Sequence, residues 1–138
     1  MRKINVLDNF LFEWVDLLNS SKVTSIQLVE SCLDRINKYD NKIKSFTKVF
    51  LDDALRNASE SDKRRSKGNQ YSIIDGIPFA AKENIEIKNK VAAAGMLSRK
   101  EIISKVNSKA IELLNEAGAI NLGHLNMHEA ALGSTNDN

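Results

Sequence analysis

The chain is built around Asp75-Gly76-Ile77-Pro78-Phe79-Ala80-Ala81-Lys82-Glu83-Asn84, which contains its only proline and an apolar run that ends at a lysine. The run predicts a β-strand from Ile77 to Lys82, with proline among its first residues, where a strand tolerates it. A lysine that closes a strand is most often a surface residue whose amine extends into water. The apolar residues before Lys82 support a second interpretation, in which burial disfavours the ammonium form and leaves a neutral amine able to act as a general base.

A second strand is predicted further along the chain. Ser108 is a predicted N-cap for a helix that Gly118 ends, and residues 119–123 follow as a strand. Strand, helix and strand over this distance make a βαβ unit, which places the two strands parallel and side by side. Two more helices are predicted, a short one at residues 99–104 and one that Asn126 caps and Gly133 ends.

The residues before the lysine stretch are mainly helical. Apolar spacing predicts helices from Asp8 to Asn19 and from a Thr24–Gln27 capping box to Lys38, followed by a polar turn at residues 39–42. A strand is predicted at residues 45–50 and a charged helix at residues 52–67, whose basic end, residues 63–67, is interpreted as solvated. Together these elements predict an α/β fold, with N-terminal helices and part of a mixed sheet, in one partial domain over residues 1–138.

Composition excludes several classes of function. The net charge of +2 gives no indication of a nucleic-acid partner. No apolar segment is long enough to suggest a signal peptide or a membrane span, so the predicted location is the cytoplasm. The single Cys32 excludes an internal disulfide and is predicted to be a small buried hydrophobic residue.

Metal and cofactor sites are not predicted. His124 and His128 have the spacing of two ligands on one helix, but His124 precedes the predicted helix and no third ligand lies near. They are interpreted as a loop histidine and a helix-surface histidine. The glycines at 118, 123 and 133 form no phosphate-binding motif, so no nucleotide cofactor is expected.

The segment from Asp75 to Asn84 resembles the lysine segment of the amidase signature family. Residues 113–120, with Gly123, resemble part of the family's next block, which continues through Asn126-Met127-His128-Glu129 and residues 132–138. The upstream helices also fit the family's N-terminal region. The resemblance therefore covers nearly the whole chain in order.

This resemblance implies a small amide substrate and a triad of serine, a second serine in a cis peptide, and lysine. It implies that Lys82 is the catalytic lysine, relaying a proton through the cis serine, and that Leu132, Gly133 and Ser134 line the substrate pocket. Both serines of the family belong to a block that follows the residues present here. The chain departs from the family at residues 92–94, all alanine where hydroxyl residues are common, and at His124-Leu125, where the family commonly has Lys-Thr.

Three hypotheses follow. In the first, the chain is the N-terminal fragment of an amidase and is inactive alone. In the second, it is half of a split amidase or of the A chain of an amidotransferase, and a partner polypeptide supplies the serine block. In the third, it is a non-catalytic binding module that reuses the fold.

Overall fold

The computed structural model describes residues 9–135. Along these residues four α-helices and three β-strands occur in the order α1 (Leu11–Asn19), α2 (Ser25–Ile43), β1 (Phe46–Val49), α3 (Leu51–Arg65), β2 (Pro78–Lys82), α4 (Lys109–Glu116) and β3 (Ile120–Leu125). Short 3-10 helices occur at Leu97–Arg99 and Glu129–Ala131.

The three strands form one mixed sheet in the order β1-β3-β2. Strands β2 and β3 are parallel, with Pro78 opposite Ile120 and Lys82 opposite Leu125, while β1 runs antiparallel to β3 on its other side. Because α4 connects β2 to β3, the predicted βαβ unit is present. The predicted α/β class and the partial mixed sheet are confirmed.

The beginnings of the first two helices are fixed by reciprocal hydrogen bonds. Thr24 caps α2 as predicted, since its hydroxyl accepts the N–H of Gln27 at 3.1 Å and its own N–H donates to the Gln27 side chain at 2.9 Å. In α1 the N–H of Phe10 donates to Glu13 Oε2 at 2.6 Å, so this helix starts later than Asp8, which lies outside the described residues.

Helix α2 continues to Ile43, so the predicted polar turn at residues 39–42 is wrong. The helix ends where Lys44 adopts a left-handed conformation, with φ 57°. The carboxylate of Asp40 then accepts the N–H of Ser45 at 2.8 Å and supports the exit from the helix. A polar run on the exposed side of a helix has the composition of a turn, which is why composition alone misplaces this boundary.

Both predicted short helices are wrong. Residues 99–104 contain only the end of one 3-10 turn, after which Ile103 pairs with Val91 as an isolated antiparallel bridge. Residues 126–133 contain one 3-10 turn in which Ala130 has φ 50°, a conformation that does not propagate an α-helix. Asn126 therefore does not act as the cap of an α-helix.

The core lies between α2, α3 and the sheet. Helix α3 presents only small side chains on its inner face, which lets it lie close to β3. The cluster of buried residues comprises Val29, Ala54, Ala58, Ile120 and Leu122. A second cluster, around β2 and α4, comprises Phe50, Ala81, Ile87 and Ile111.

Asp75 anchors the start of the lysine stretch. Its carboxylate is fully buried and accepts two hydrogen bonds from Arg64, at 2.9 and 2.7 Å, and one from the Tyr71 N–H at 2.9 Å. Arg65 donates to the backbone carbonyl of Asp75 and to Asn19. The interpretation of the basic end of α3 as a solvated face is therefore wrong for these two arginines, which tie α3 to the entry of β2.

Two glycines make room for this polar cluster. A Cβ on Gly118, where φ is 84°, would lie 2.5 Å from the Asp75 carboxylate. A Cβ on Gly76, where φ is 89°, would lie 2.0 Å from the hydroxyl of Ser25 and 2.6 Å from that of Ser61. The N–H of Gly76 also donates to the carbonyl of Gly118 at 2.9 Å, joining the residues before β2 to those before β3.

Candidate active site

Lys82 is the last residue of β2, and its side chain is exposed. Its Nζ donates a hydrogen bond to the backbone carbonyl of Asn126 at 2.8 Å. The two residues meet because β2 and β3 are parallel neighbours, so their carboxyl ends lie at the same edge of the sheet. The enclosure of the amine by apolar side chains, expected from the sequence, is not observed around Lys82 among the described residues.

An open groove of about 460 Å³ surrounds this edge of the sheet. Its walls come from the end of α2, the ends of β2 and β3, and the last described residue. The lining residues are Ile43, Lys44, Ser45, Lys82, Leu125, Asn126 and Thr135. An amine, an amide and hydroxyl groups therefore share one cavity, a combination that can bind and orient a small polar substrate.

Asn126 joins the three chain segments that form the groove. Its N–H donates to the carbonyl of Ser45 at 2.7 Å, and its side-chain Nδ2 donates to the carbonyl of Lys44 at 3.1 Å. Its own carbonyl accepts the hydrogen bond from Lys82. The position of the lysine amine is thus set by the end of α2 as well as by the sheet.

Asp40 stabilises the opposite wall of the groove. Its carboxylate accepts hydrogen bonds from the hydroxyl and N–H of Ser45 and from the N–H of Phe46. Slight burial raises the pKa of Asp40, but the hydrogen bonds from Ser45 and Phe46 outweigh this effect and hold the pKa below its ordinary value. The carboxylate is therefore ionised at neutral pH and keeps Ser45 in place.

The three residues that the resemblance assigns to the substrate pocket lie just before Thr135, which lines the groove. Leu132 is 86% exposed and Ser134 is exposed. Gly133 approaches the ring of His128, since a Cβ there would lie 2.3 Å from the His128 Cδ2 atom. The structure thus brings this segment to the mouth of the groove, and the groove wall contains Thr135 and none of the three.

The two histidines do not share a site. His124 is in β3, 1% exposed, with Nε2 3.2 Å from the carbonyl of Ile85 and its ring edge against Phe50. Burial lowers the pKa of His124, which favours the neutral ring. The interpretation of His124 as a loop histidine is wrong, and His128 precedes a 3-10 turn instead of lying on an α-helix. Between residues 9 and 135, no three potential ligands of the His, Cys, Asp and Glu types cluster closely enough to hold a metal ion.

Sequence reasoning misses the roles of Asn126, Ser45 and Asp40. The local pattern places Asn126 at a helix cap, although its place directly after a parallel strand is where groups at a site are commonly found. No pattern in the sequence connects Asp40 with Ser45, because that contact depends on where α2 ends.

Within the described part of the chain, no α-helix combines the length and the apolar composition needed to cross a bilayer.

A mixed α/β sheet with helices packed on it and a lysine at the carboxyl end of a parallel strand defines the class of fold seen in amidases. The sequence model named Amidase matches residues 27–138. The chain belongs to the amidase family, and the resemblance noted from the sequence is confirmed.

Individual relatives support this assignment. Over 135 residues, 96% of the chain, the sequence is 36% identical to the A chain of the glutamyl-tRNA(Gln) amidotransferase of Leptospira interrogans. The native peptide amidase of Stenotrophomonas maltophilia is similar in structure, with a TM-score of 0.79 at 25% identity over 93% of the chain and 26% of the amidase. A fatty acid amide hydrolase shares the fold with a TM-score of 0.85 at 18% identity, over 93% of the chain and 23% of the hydrolase. The chain spans 27% of the Leptospira protein, or about a quarter of the length of these relatives.

Proposed function

We propose that this chain forms the N-terminal part of an amidase-signature domain that cleaves C–N amide bonds, and that Lys82 is its catalytic lysine. The observation that carries the proposal is the position of Lys82, at the carboxyl end of a parallel strand, with its amine fixed at 2.8 Å from the Asn126 carbonyl inside the groove. An amine held at one point of an open groove can exchange a proton with a neighbouring hydroxyl. The family membership supplies the reaction.

In the proposed reaction the two serines come from the part of the relatives that this chain does not span. The nucleophilic serine gives its proton to the cis serine, which gives its own to the neutral amine of Lys82. The serine oxygen then forms a bond to the amide carbon, the C–N bond breaks, and the proton returns through the same relay to the leaving nitrogen. Water, deprotonated along the same path, releases the acyl group and restores the free serine.

The segment of Leu132, Gly133 and Ser134 is proposed to contact the substrate. Its support is its position directly before Thr135, which shares the groove with Lys82. The close approach of Gly133 to His128 fixes the backbone at this point, because any side chain at Gly133 would collide with the ring.

We further propose that residues 1–138 alone do not hydrolyse amides and act once the serine-bearing segment is supplied, either in a continuous chain or by a partner polypeptide. The A chain of an amidotransferase is one such context, since the Leptospira relative carries that name. We propose the cytoplasm as the location and a small amide as the substrate, with no nucleic acid bound directly by this chain.

The test compares the chain alone with a fusion in which the Leptospira protein, from the end of its matched region onward, follows Asn138. Release of ammonia or aniline from simple primary amides and anilides is measured for both. The fusion is expected to hydrolyse amides and the chain alone to be inactive. Lys82→Ala should reduce the rate of the fusion at least ~100-fold, the usual scale of a lost general base.

Lys22→Ala is the matched control, because Lys22 is an exposed lysine between α1 and α2, outside the lining of the groove. Amide hydrolysis by the chain alone, or a fusion whose activity survives Lys82→Ala, would contradict the proposal. A cooperatively folded fusion without activity would favour the non-catalytic binding module.

A further inference from the structure

The sheet has two outer strands, β1 and β2, and they differ in character. The order β1-β3-β2 leaves one side of each without a partner strand among residues 9–135. An unpaired strand edge attracts other strands, and proteins protect their permanent edges with charges and bulges. The two edges can therefore be compared for such protection.

Strand β1 is protected. Thr47 and Lys48 are exposed on it, and Lys48 places a charge in the middle of the strand. The register between β1 and β3 also slips, so that two residues of β1, from Phe46 to Lys48, advance only one residue of β3, from Leu125 to His124. A charge and a bulge on the same strand are the features of a permanent edge.

Strand β2 has neither protection. Pro78-Phe79-Ala80-Ala81 carries no charge until Lys82 at its end, and all four side chains are buried or half-buried. In the β2–β3 pair the extra residue belongs to β3, since the two-residue step from Phe79 to Ala81 corresponds to a three-residue step in β3. A regular, nearly continuous apolar strand in parallel pairing is typical of the interior of a sheet.

The open side of β2 can be assigned to particular backbone groups. The carbonyl of Ile77 accepts the N–H of Ile120, so Ile77 faces β3. Successive residues of a strand direct their N–H and C=O groups to opposite edges, so Phe79 also faces β3, while Ala80 presents both groups to the open side.

We propose that the open edge of β2 is a docking edge for a strand of the amidase-domain segment that the relatives carry beyond the matched quarter, so that β2 is an interior strand of the complete sheet and β1 its permanent edge. This inference rests on the proposed function, and it names the surface through which the serine-bearing segment joins. The incoming strand pairs with Ala80, two residues from Lys82, which brings the segment beside the groove. The length of the relatives supports this occupant, because this chain spans only 27% of the Leptospira protein.

Amide hydrogen exchange tests the inference on the chain alone and on the fusion with the Leptospira segment. In the chain alone, the Ala80 amide is expected to exchange within ~10-fold of an unstructured amide, and the Phe79 amide at least ~100-fold more slowly. In the fusion, the Ala80 amide is expected to slow by at least ~100-fold. The Val49 amide is the control: it faces the open side of β1, because its neighbour Phe50 donates to the Leu122 carbonyl, and it should exchange at the same rate in both proteins.

Ala80→Pro gives a second readout, because it removes the N–H that faces the open side. It should shift the Tm of the chain alone by less than ~2 °C, with Ala80→Gly as the variant that retains the N–H, because no ladder bond is lost there.

An Ala80 amide as protected as that of Phe79 in the monomeric chain, or strong destabilisation of the chain by Ala80→Pro but not by Ala80→Gly, would overturn the inference. So would a cooperatively folded fusion in which Ala80 still exchanges fast. Protection of Ala80 only on self-association would assign the edge to a second copy and also overturn it. A fusion with a protected Ala80 and no amide hydrolysis would support the docking edge while refuting the proposed function.

Discussion

Asp75→Asn is expected to destabilise the chain by about 3 kcal/mol, on the scale of breaking a buried ion pair from one side. The wild-type carboxylate has no exposed surface and accepts three hydrogen bonds, two from Arg64 and one from the Tyr71 N–H. An asparagine keeps the shape but turns an NH2 group towards one of these donors and leaves the guanidinium without its counter-charge. The Arg64 side chain is 22% exposed, so water compensates part of this loss, and the value is taken from the lower end of that range.

The assay is equilibrium urea unfolding, followed by the fluorescence of Trp14, the only tryptophan. Trp14 packs against a core cluster that includes Ile77, two residues after Asp75, so its signal reports on the region that the substitution loosens. A loss of about 3 kcal/mol corresponds to a Tm lower by roughly 10 °C for a chain of this length. Asp34→Asn, on the exposed side of α2, is the control and should change stability by less than ~0.5 kcal/mol.

The pH dependence gives the prediction a sign. Burial raises the pKa of Asp75, but the hydrogen bonds from Arg64 and Tyr71 outweigh it, and the pKa in the folded state is below the ordinary value of 3.8. The carboxylate therefore contributes stability above the unfolded-state pKa and loses it as the pH falls through the lower, folded-state pKa. The stability difference between wild type and Asp75→Asn should be constant above pH ~5 and shrink below pH ~4.

A loss below ~1 kcal/mol, the size of an ordinary neutral hydrogen bond, would refute the reasoning, since it would mean that the buried pair contributes no more than such a bond. A difference that grows as the pH falls would refute it as well, because the sign of the pKa shift would then be wrong.

Three further predictions concern the fold and can be checked by urea unfolding or thiol chemistry. Gly118→Ala should cost about 3 kcal/mol, because it combines the ~1–2 kcal/mol strain of a left-handed conformation with a collision at Asp75, whereas Gly68→Ala, at φ 68° with nothing within 4 Å, should cost the strain alone; equal costs would contradict the collision. Thr24→Ala should cost about 1 kcal/mol by removing the N-cap of α2, and Thr24→Ser, which keeps the hydroxyl, should restore most of it; no difference between the two variants would argue against the cap. Burial raises the pKa of the Cys32 thiol to about 11, so alkylation by iodoacetamide should be slow at pH 8 and accelerate up to that value or on unfolding; labelling at the rate of a free thiol at pH 8 would contradict its burial.

The periodic elements were predictable because each depends on nearby residues. The Thr24 capping box, the Ser108 cap and the apolar strand that ends at Lys82 all use local rules, and the structure has each of them. The βαβ unit follows from them through the handedness and length of its connection. Cys32, predicted as buried, is half-buried against the core cluster of α2 and α3.

What the sequence could not predict depends on contacts between distant residues. Arg64 and Arg65 look like a solvated helix end until Asp75 is placed beside them, ten or more residues along the chain. Asn126 has the composition signal of a cap, yet it bridges Lys82 and the end of α2 because two strands finish at the same edge. Local rules cannot distinguish these roles, since each needs the sheet to be assembled first.

The central claim is that Lys82 is the catalytic lysine of an amidase-signature domain. The most direct test is the ratio of amide-hydrolysis rates between the fusion carrying the Leptospira segment and the same fusion with Lys82→Ala, at matched folding by circular dichroism. The account predicts a ratio of at least ~100, with Lys22→Ala close to the parent rate. A folded Lys82→Ala fusion that hydrolyses amides as fast as its parent would contradict it.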